Sequence, residues 1–392
     1  MINSIIAYDI AELEKYKIVS EAKSLFKSKI LSKEQFDSIQ TEYHSNFFAP
    51  SVFMRILLFL ASLFGMSTLL LPVGMIFGDL GMGGYRVISF VLGIIFIGLT
   101  EFVFIKDKFH YKSGITEAGV YVGLSFIATG ILGFDSDYKF VAPAICLILA
   151  TFAAIRYLNF IALALAFVFF GWIVFQLFSG IGGYAEALIP FVFMIVFGII
   201  FWQTIKMEKR FSNFIFKDLF IVAKTICLLV FYIAGNYFVV RELSVNLMDL
   251  KLTGNEDIPF AFIFYALTAL VPIAYLYWGI MKRSIIFIRV SMLTLALSVV
   301  TFKYYFSLGY PVVTITASGA ILITAALLLL NYLKQTRSGY TRERLLTDKW
   351  SSQDLSAFIT SQTLGGNAGN NPNSDTTLGG GDFGGGGAGS SW

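Results

Sequence analysis

Four ionisable side chains stand inside long apolar stretches of this chain: Glu101, Glu117, Lys224 and Arg289. A charge placed in hydrocarbon is costly, so each is a functional candidate by default. All four sit near one end of their apolar block, which gives them a shared depth. Two acids and two bases in one layer can snorkel to interfacial water, the plainest reading. They can also form a structural pair network, or line a vestibule coupled to protons or solute.

Other chemistries fail on inventory. The two histidines, His44 and His110, both lie outside the apolar blocks. A Ser–His dyad within a bilayer therefore lacks its base, although Ala317-Ser318-Gly319 superficially suggests one. A zinc protease lacks its HExxH pair, a histidine-dependent acyltransferase fails equally, and neither a phosphate-binding GxxxxGK[ST] loop nor a dinucleotide fingerprint is present. Cys146 and Cys227 fall in apolar runs, so neither a disulfide framework nor a metal site is expected. No cofactor is implied and no catalytic residue is assigned. Asp79, in Gly78-Asp79-Leu80-Gly81, supports one enzyme hypothesis, because lipid-linked glycosyltransferases place a carboxylate in their first outer loop. It stands alone in a short Gly-rich turn, where Asp commonly serves the backbone.

The elements that must position these residues follow from composition. Hydrophobic residues make up 57% of the 392, charged residues 14%, and mean hydropathy is +0.75. A soluble domain carries about a quarter charged residues. The class expected is all-α, a polytopic helical membrane protein. A span needs roughly 20 apolar residues, and ten segments qualify: 53–77, 87–105, 115–133, 140–155, 158–178, 187–205, 219–239, 259–280, 285–306 and 312–333. From Phe140 to Phe178 Arg156 and Asn159 interrupt the apolar run, which is too long for one span and suits two. The turn is placed at Arg156-Tyr157.

Charge placement agrees with the count. With the N-terminus inside, 22 of the 29 Lys and Arg fall on the cytoplasmic side and 4 on the other, Arg86, Lys139, Arg241 and Lys251. The positive-inside rule then places both termini in the cytoplasm. The basic residues lie between apolar blocks and form no stripe, so no nucleic-acid partner is expected. Residues 1–52 lack the basic, apolar and small-residue order of a signal peptide.

Residues 1–52 read as a cytoplasmic helical hairpin. Ile10, Leu13 and Tyr16 recur at helical spacing, as do Phe36, Ile39 and Tyr43, and Ser32-Lys33-Glu34-Gln35 fits a capping box. The hairpin is too small to hold a core alone and must pack on the membrane domain, 53–333, or on a partner. Residues 334–363 form a basic juxtamembrane segment suited to anionic lipid. From 364 to 392 eleven residues are Gly, which predicts disorder. Phe383 and Trp392 are candidate recognition residues for a protein partner of this tail.

Within the spans, Pro72, Pro143, Pro190 and Pro272 each free a backbone carbonyl, as in the interrupted helices of transporters. Packing helices tolerate them too. Ala61-x-x-x-Gly65 and Ala150-x-x-x-Ala154 permit close helix contact.

The ending Gly379-Gly380-Gly381-Asp382-Phe383 through Gly389-Ser390-Ser391-Trp392 resembles the tails of bacterial membrane-anchored proteins with a thylakoid-lumen-phosphatase-like domain. That resemblance covers about 14 residues and implies only a tail-recognition or quality-control role. The hairpin with Leu31-Ser32-Lys33-Glu34-Gln35-Phe36 followed by many spans resembles an uncharacterised family of bacterial predicted membrane proteins. It implies a multi-pass protein of the inner membrane and no activity. Two readings of function stand: a non-enzymatic bundle that assembles with partners through hairpin and tail, or a small-solute or lipid transporter.

Overall fold

The computed structural model describes residues 5–28, 30–77, 81–133, 140–179, 184–210, 214–246 and 257–305, with isolated positions between 316 and 331. These residues form α1 (Ile10–Lys27), α2 (Lys33–Glu42), α3 (Val52–Phe77), α4 (Met82–Gly98), α5 (Ile115–Leu132), α6 (Val141–Arg156), α7 (Phe160–Ser179), α8 (Tyr184–Arg210), α9 (Lys217–Gly235), α10 (Tyr237–Asn246), α11 (Ala261–Met281) and α12 (Ile285–Tyr305). A π-helical segment, Leu99–Asp107, extends α4, and a short 3-10 turn, Phe214–Phe216, precedes α9. The chain is all-α.

Seven helical stretches are long and apolar enough to cross a membrane, including α4 with its π extension over Met82–Asp107. Two shorter apolar stretches, Val52–Thr68 of α3 and Val141–Arg156, join them. Only 17–33% of each long stretch is buried inside the molecule. Phe64, Val168 and Phe262 point outward at 75%, 63% and 72% exposure. Water would penalise such a surface, whereas lipid chains solvate it. This is a multi-pass membrane protein. The first nine expected segments all fall on helices; segment 312–333, the juxtamembrane stretch 334–363 and the tail with Phe383 and Trp392 lie outside the described residues.

Helices adjacent in sequence pack as antiparallel pairs: α4 with α5, α6 with α7, α8 with α9, and α11 with α12. Helix α3 lies on α5, and α9 contacts α7 and α12. Glycine sets the closest of these crossings. A Cβ on Gly93 would meet the Gly123 carbonyl oxygen at 2.7 Å, and one on Gly130 would meet the Phe90 backbone nitrogen at 2.7 Å. Ala150 and Ala154 are buried as their spacing suggests. Gly65 has nothing within 4 Å, so the expected contact at Ala61-x-x-x-Gly65 is absent among the described residues. The α6–α7 turn falls at Tyr157–Asn159, where the length of the apolar run places it.

Pro190 and Pro272 sit inside continuous helices, α8 and α11. The interruption falls instead at Asn236, within the segment expected to run unbroken over 219–239. Its backbone turns extended, with φ −83° and ψ 124°. The Tyr237 amide then donates to Thr268 Oγ1 at 2.9 Å and the Val239 amide to Asn236 Oδ1 at 3.3 Å. Side-chain oxygens thus replace helical carbonyls, and no proline is needed to stop the helix.

The N-terminal hairpin forms as its caps dictate. Ser32 Oγ accepts from the Gln35 amide at 3.2 Å, and Gln35 Oε1 accepts from the Ser32 amide at 3.0 Å. Helix α1 packs on the membrane domain through Leu13, which is fully buried. Helix α2 has no buried residue, and Phe36 stacks on Phe26 of α1 with centroids 5.2 Å apart.

Candidate functional site

The segment before α1 builds one end of the bundle. Ile6, Ala7 and Tyr8 are almost fully buried and join Ile105, Ala153, Tyr157 and Leu219 in one apolar core. The Ala7 amide donates to the Arg156 carbonyl at 2.9 Å, and Lys17 Nζ reaches the Ile215 carbonyl at 3.4 Å. Tyr8, Tyr16, Phe47 and Tyr111 surround one another edge to face, with Phe47 and Tyr111 stacked at 5.3 Å. Phe48 forms a single β-bridge with His110. Burial holds the His110 imidazole below its usual value, which favours the neutral ring that meets Ser113 Oγ at 3.0 Å. This strap covers the ends of α4, α5, α6 and α9.

Beneath it lies Glu101. The π-helical turn places Glu101 and Thr100 toward α5 and α6, and Gly119 leaves the room for Thr100 that a Cβ would remove. Such π turns recur where a side chain must be re-aimed. Arg156 Nε donates to Glu101 Oε2 at 2.9 Å and Arg156 Nη2 donates to Oε1. Tyr157 Oη donates to Oε2 at 3.3 Å, and exposed Lys106 stands 3.7 Å from Oε1. Arg156 Nη1 also donates to the Ile5 carbonyl at 3.2 Å. One guanidinium therefore joins α6, the π turn and the N-terminal strap.

Glu117 has other partners. Its Oε2 accepts from the Gly114 amide at 2.7 Å and Thr116 Oγ1 at 2.9 Å, capping α5, and Arg55 Nε lies 3.8 Å from Oε1. Arg55 Nε donates to the Lys112 carbonyl. Gly114 takes φ 92°, and a Cβ there would meet the Arg55 carbonyl oxygen at 2.1 Å, so α3 approaches the α5 cap closely. Lys224 pairs with Glu208 of α8 at 2.7 Å. Arg289 is exposed, on a helix that packs against α9 and α11. Among the described residues, Glu101, Glu117 and Lys224 each have a different ion-pair partner and do not pair with one another. Glu101 pairs with Arg156 and Lys106, Glu117 with Arg55, and Lys224 with Glu208.

A cavity of about 200 Å³ opens beside Glu117, between α3, α5 and the α6–α7 turn. Its polar wall includes Tyr8, Arg55, Lys112, Glu117 and Asn159. Its exposed rim is Ile56, Phe160 and Ile161, on the apolar faces of α3 and α7. Asn159 caps α7, its Oδ1 accepting from the Ile161 and Ala162 amides at 2.9 and 3.0 Å and from Tyr121 Oη at 2.9 Å. Burial, then the charge of Glu117, pushes the Tyr8 hydroxyl well above its ordinary value, so it remains protonated. Sequence reading passed over Tyr8 and Arg55 and noted Asn159 only as an interruption. The signal for Asn159 was present, a lone amide directly before an apolar helix.

At the far end, Asn236 Nδ2 donates to Tyr232 Oη at 2.9 Å and Thr301 Oγ1 at 3.0 Å. Asp257 accepts from Tyr237 Oη at 2.6 Å and Tyr265 Oη at 3.0 Å. Partial burial pushes the Asp257 carboxyl up, yet these bonds, the Ile258 amide and Arg241 together hold it below the usual range. Among the described residues no cluster of three or more His, Cys, Asp or Glu could hold a metal. Asp79 lies outside the described residues. No family model matches the chain, and neither a curated protein nor a solved structure is significantly similar to it, so neither likeness of tail or layout identifies a family.

Proposed function

We propose that the protein is a non-enzymatic membrane bundle of the bacterial inner membrane that displays its α1–α2 hairpin to a protein partner in the cytoplasm, with the Gly-rich tail as a second contact. One observation carries the reading: α1 is fastened to the bundle by Leu13, Lys17 and the Ile6–Tyr8 strap, while α2 buries nothing. Around it Ile18, Phe26 and Ile30 remain 37–54% exposed. A hairpin held so firmly on one side and bare on the other is a presenting element. The orientation rests on the Lys and Arg excess at that end, and the count of ten spans on the tenth apolar segment.

The test is site-specific photo-crosslinking in native membranes, with the probe at Ile39 of α2 or at Leu13 as a buried control. A discrete adduct at Ile39, absent at Leu13, supports display. No adduct from Ile39 or from Phe383 would end the reading. A second reading, transport of a lipid or small solute, draws on the cavity beside Glu117, which opens at lipid-facing residues. It reaches only as deep as Phe59 and Val120–Tyr121, about two turns into α3 and α5. A pathway across the membrane needs more, so assembly is preferred. The glycosyltransferase reading has only Asp79 behind it.

A further inference from the structure

Among the described residues, two polar groups of the cavity wall lack a partner although their residues are more than nine-tenths buried. Tyr8 is 4% exposed and Asn159 is 7% exposed, and both line the cavity. Asn159 Oδ1 is taken by three donors, which fixes the amide so that Nδ2 turns away from the α7 cap. Among the described residues neither Asn159 Nδ2 nor Tyr8 Oη makes a hydrogen bond, and no polar side-chain atom sealed from solvent there goes unsatisfied. Each group therefore keeps some solvent access, and both residues line the cavity. Both are donors, since the amide nitrogen carries two hydrogens and the hydroxyl is held protonated.

The charged residues beside them are Arg55, Lys112 and Glu117, and Lys112 Nζ lies over the Tyr111 ring, 5.4 Å from its centroid. Glu117 is already engaged by Gly114, Thr116 and Arg55. What completes this wall is an anionic oxygen acceptor. The rim has the opposite character, with Ile56, Phe160 and Ile161 each 45–51% exposed on helix faces that meet lipid. At about 200 Å³ the space is smaller than the roughly 300–1,000 Å³ of sites that enclose a whole ligand. It has room for a headgroup whose chains lie outside, along the rim. The strap closes the remaining side, because Tyr8 is fixed by Ala7 and Ile6 against Arg156 and the apolar core.

We propose that this cavity binds the anionic headgroup of a membrane phospholipid, its phosphate oxygens accepting from Tyr8 Oη, Asn159 Nδ2 and Arg55, with the acyl chains leaving between α3 and α7. The site is independent of whether the hairpin recruits a protein. It is also distinct from the diffuse attraction that basic juxtamembrane residues exert on anionic lipid.

The experiment is thermal unfolding of the full-length chain, purified in neutral detergent, titrated with dioleoylphosphatidylglycerol, dioleoylphosphatidylcholine or glycerol 3-phosphate. A saturable rise in Tm with the anionic lipid alone is expected. Tyr8→Phe keeps every ring contact and should leave the lipid-free Tm unchanged while weakening the apparent affinity about tenfold, as loss of one bond to a charged group does. Asn159→Asp keeps the helix cap, places negative charge at the headgroup and should abolish the rise. Arg342→Gln with Arg344→Gln should leave it intact. An equal response to phosphatidylcholine, a response to glycerol 3-phosphate alone, or wild-type lipid response in both Tyr8→Phe and Asn159→Asp would overturn the proposal. So would loss of the response in the Arg342/Arg344 variant alone.

Discussion

Arg156 holds Glu101 with two guanidinium nitrogens, and the same side chain ties the Ile5 carbonyl to the bundle. The side chains are 23% and 9% exposed, so this is a largely desolvated pair. Removing one member leaves the other charge uncompensated, which costs roughly 3–5 kcal/mol. Arg156→Met should therefore be strongly destabilising in detergent, Glu101→Gln less so, and the double variant should recover most of the loss. Equal, additive losses in the cycle would show that the pair is not coupled.

The Lys224–Glu208 pair should behave otherwise. Glu208 is 34% exposed, and water already competes for it. Lys224→Met should cost about 0–1 kcal/mol, as exposed pairs do. Glu101 and Lys224 have separate partners, so combining Glu101→Gln with Lys224→Met should give additive losses. A coupling above ~0.5 kcal/mol between them would contradict the separation described here.

Glu12 ties α1 to the turn before α3, accepting from Lys15 Nζ at 2.9 Å and the Asn46 amide at 2.8 Å. The Lys15 bond first, then the Asn46 amide, hold its carboxyl below the usual value, against a smaller upward push from burial. Because the folded value is the lower one, the unfolded chain binds more protons in the interval between the two, and stability rises with pH there. This contribution is complete above the unfolded value of about 4.3 and is lost as pH falls through the folded value. Limited proteolysis of the hairpin should accelerate over that acidic interval, and Glu12→Gln should flatten the change.

Gly93→Ala forces a Cβ to within 2.7 Å of the Gly123 carbonyl oxygen and the Ile127 amide nitrogen. Both are backbone atoms of α5 and cannot rotate away, so overpacking of roughly 1–3 kcal/mol is expected. Gly65→Ala meets nothing within 4 Å and should be neutral or slightly stabilising. Comparable thermal shifts for the two would refute the close α4–α5 crossing.

Asn236→Ala removes a cap on Val239 and two bonds to Tyr232 and Thr301. The partners left behind are buried, Thr301 at 5% exposure and Tyr232 at 1%, so a loss of about 1–3 kcal/mol should follow. Cysteine labelling at Ser38 and Asn246, in a background free of Cys146 and Cys227, should also mark opposite faces of the membrane. Labelling of both from one side would reject the topology.

Much of the architecture was legible in the sequence because it depends on length and polarity. The α6–α7 turn follows from an apolar run too long for one span, and the α2 cap follows from Ser32 and Gln35. Position along each helix was legible too, since distance from the helix end fixes it. Direction around the helix axis was not. Glu101 faces Arg156 because a π turn rotates it, and no count of residues along a span contains that rotation. The break at Asn236 was missed for a related reason. Its replacement partners, Thr268 and Thr301, lie 32 and 65 residues further along the chain.

The strap has a consequence for the order of biosynthesis. Ile6–Tyr8 and Lys17 rest on Tyr111, Arg156, Tyr157, Ile215 and Leu219, so their seats are made long after they are. A nascent chain emerges at about 5–20 residues per second. Lys17 waits for 198 further residues before Ile215 exists, on the order of ten to forty seconds at that pace. During that interval the hairpin is an unattached amphipathic segment beside the ribosome, and its docking reports that the ninth helix has begun to form.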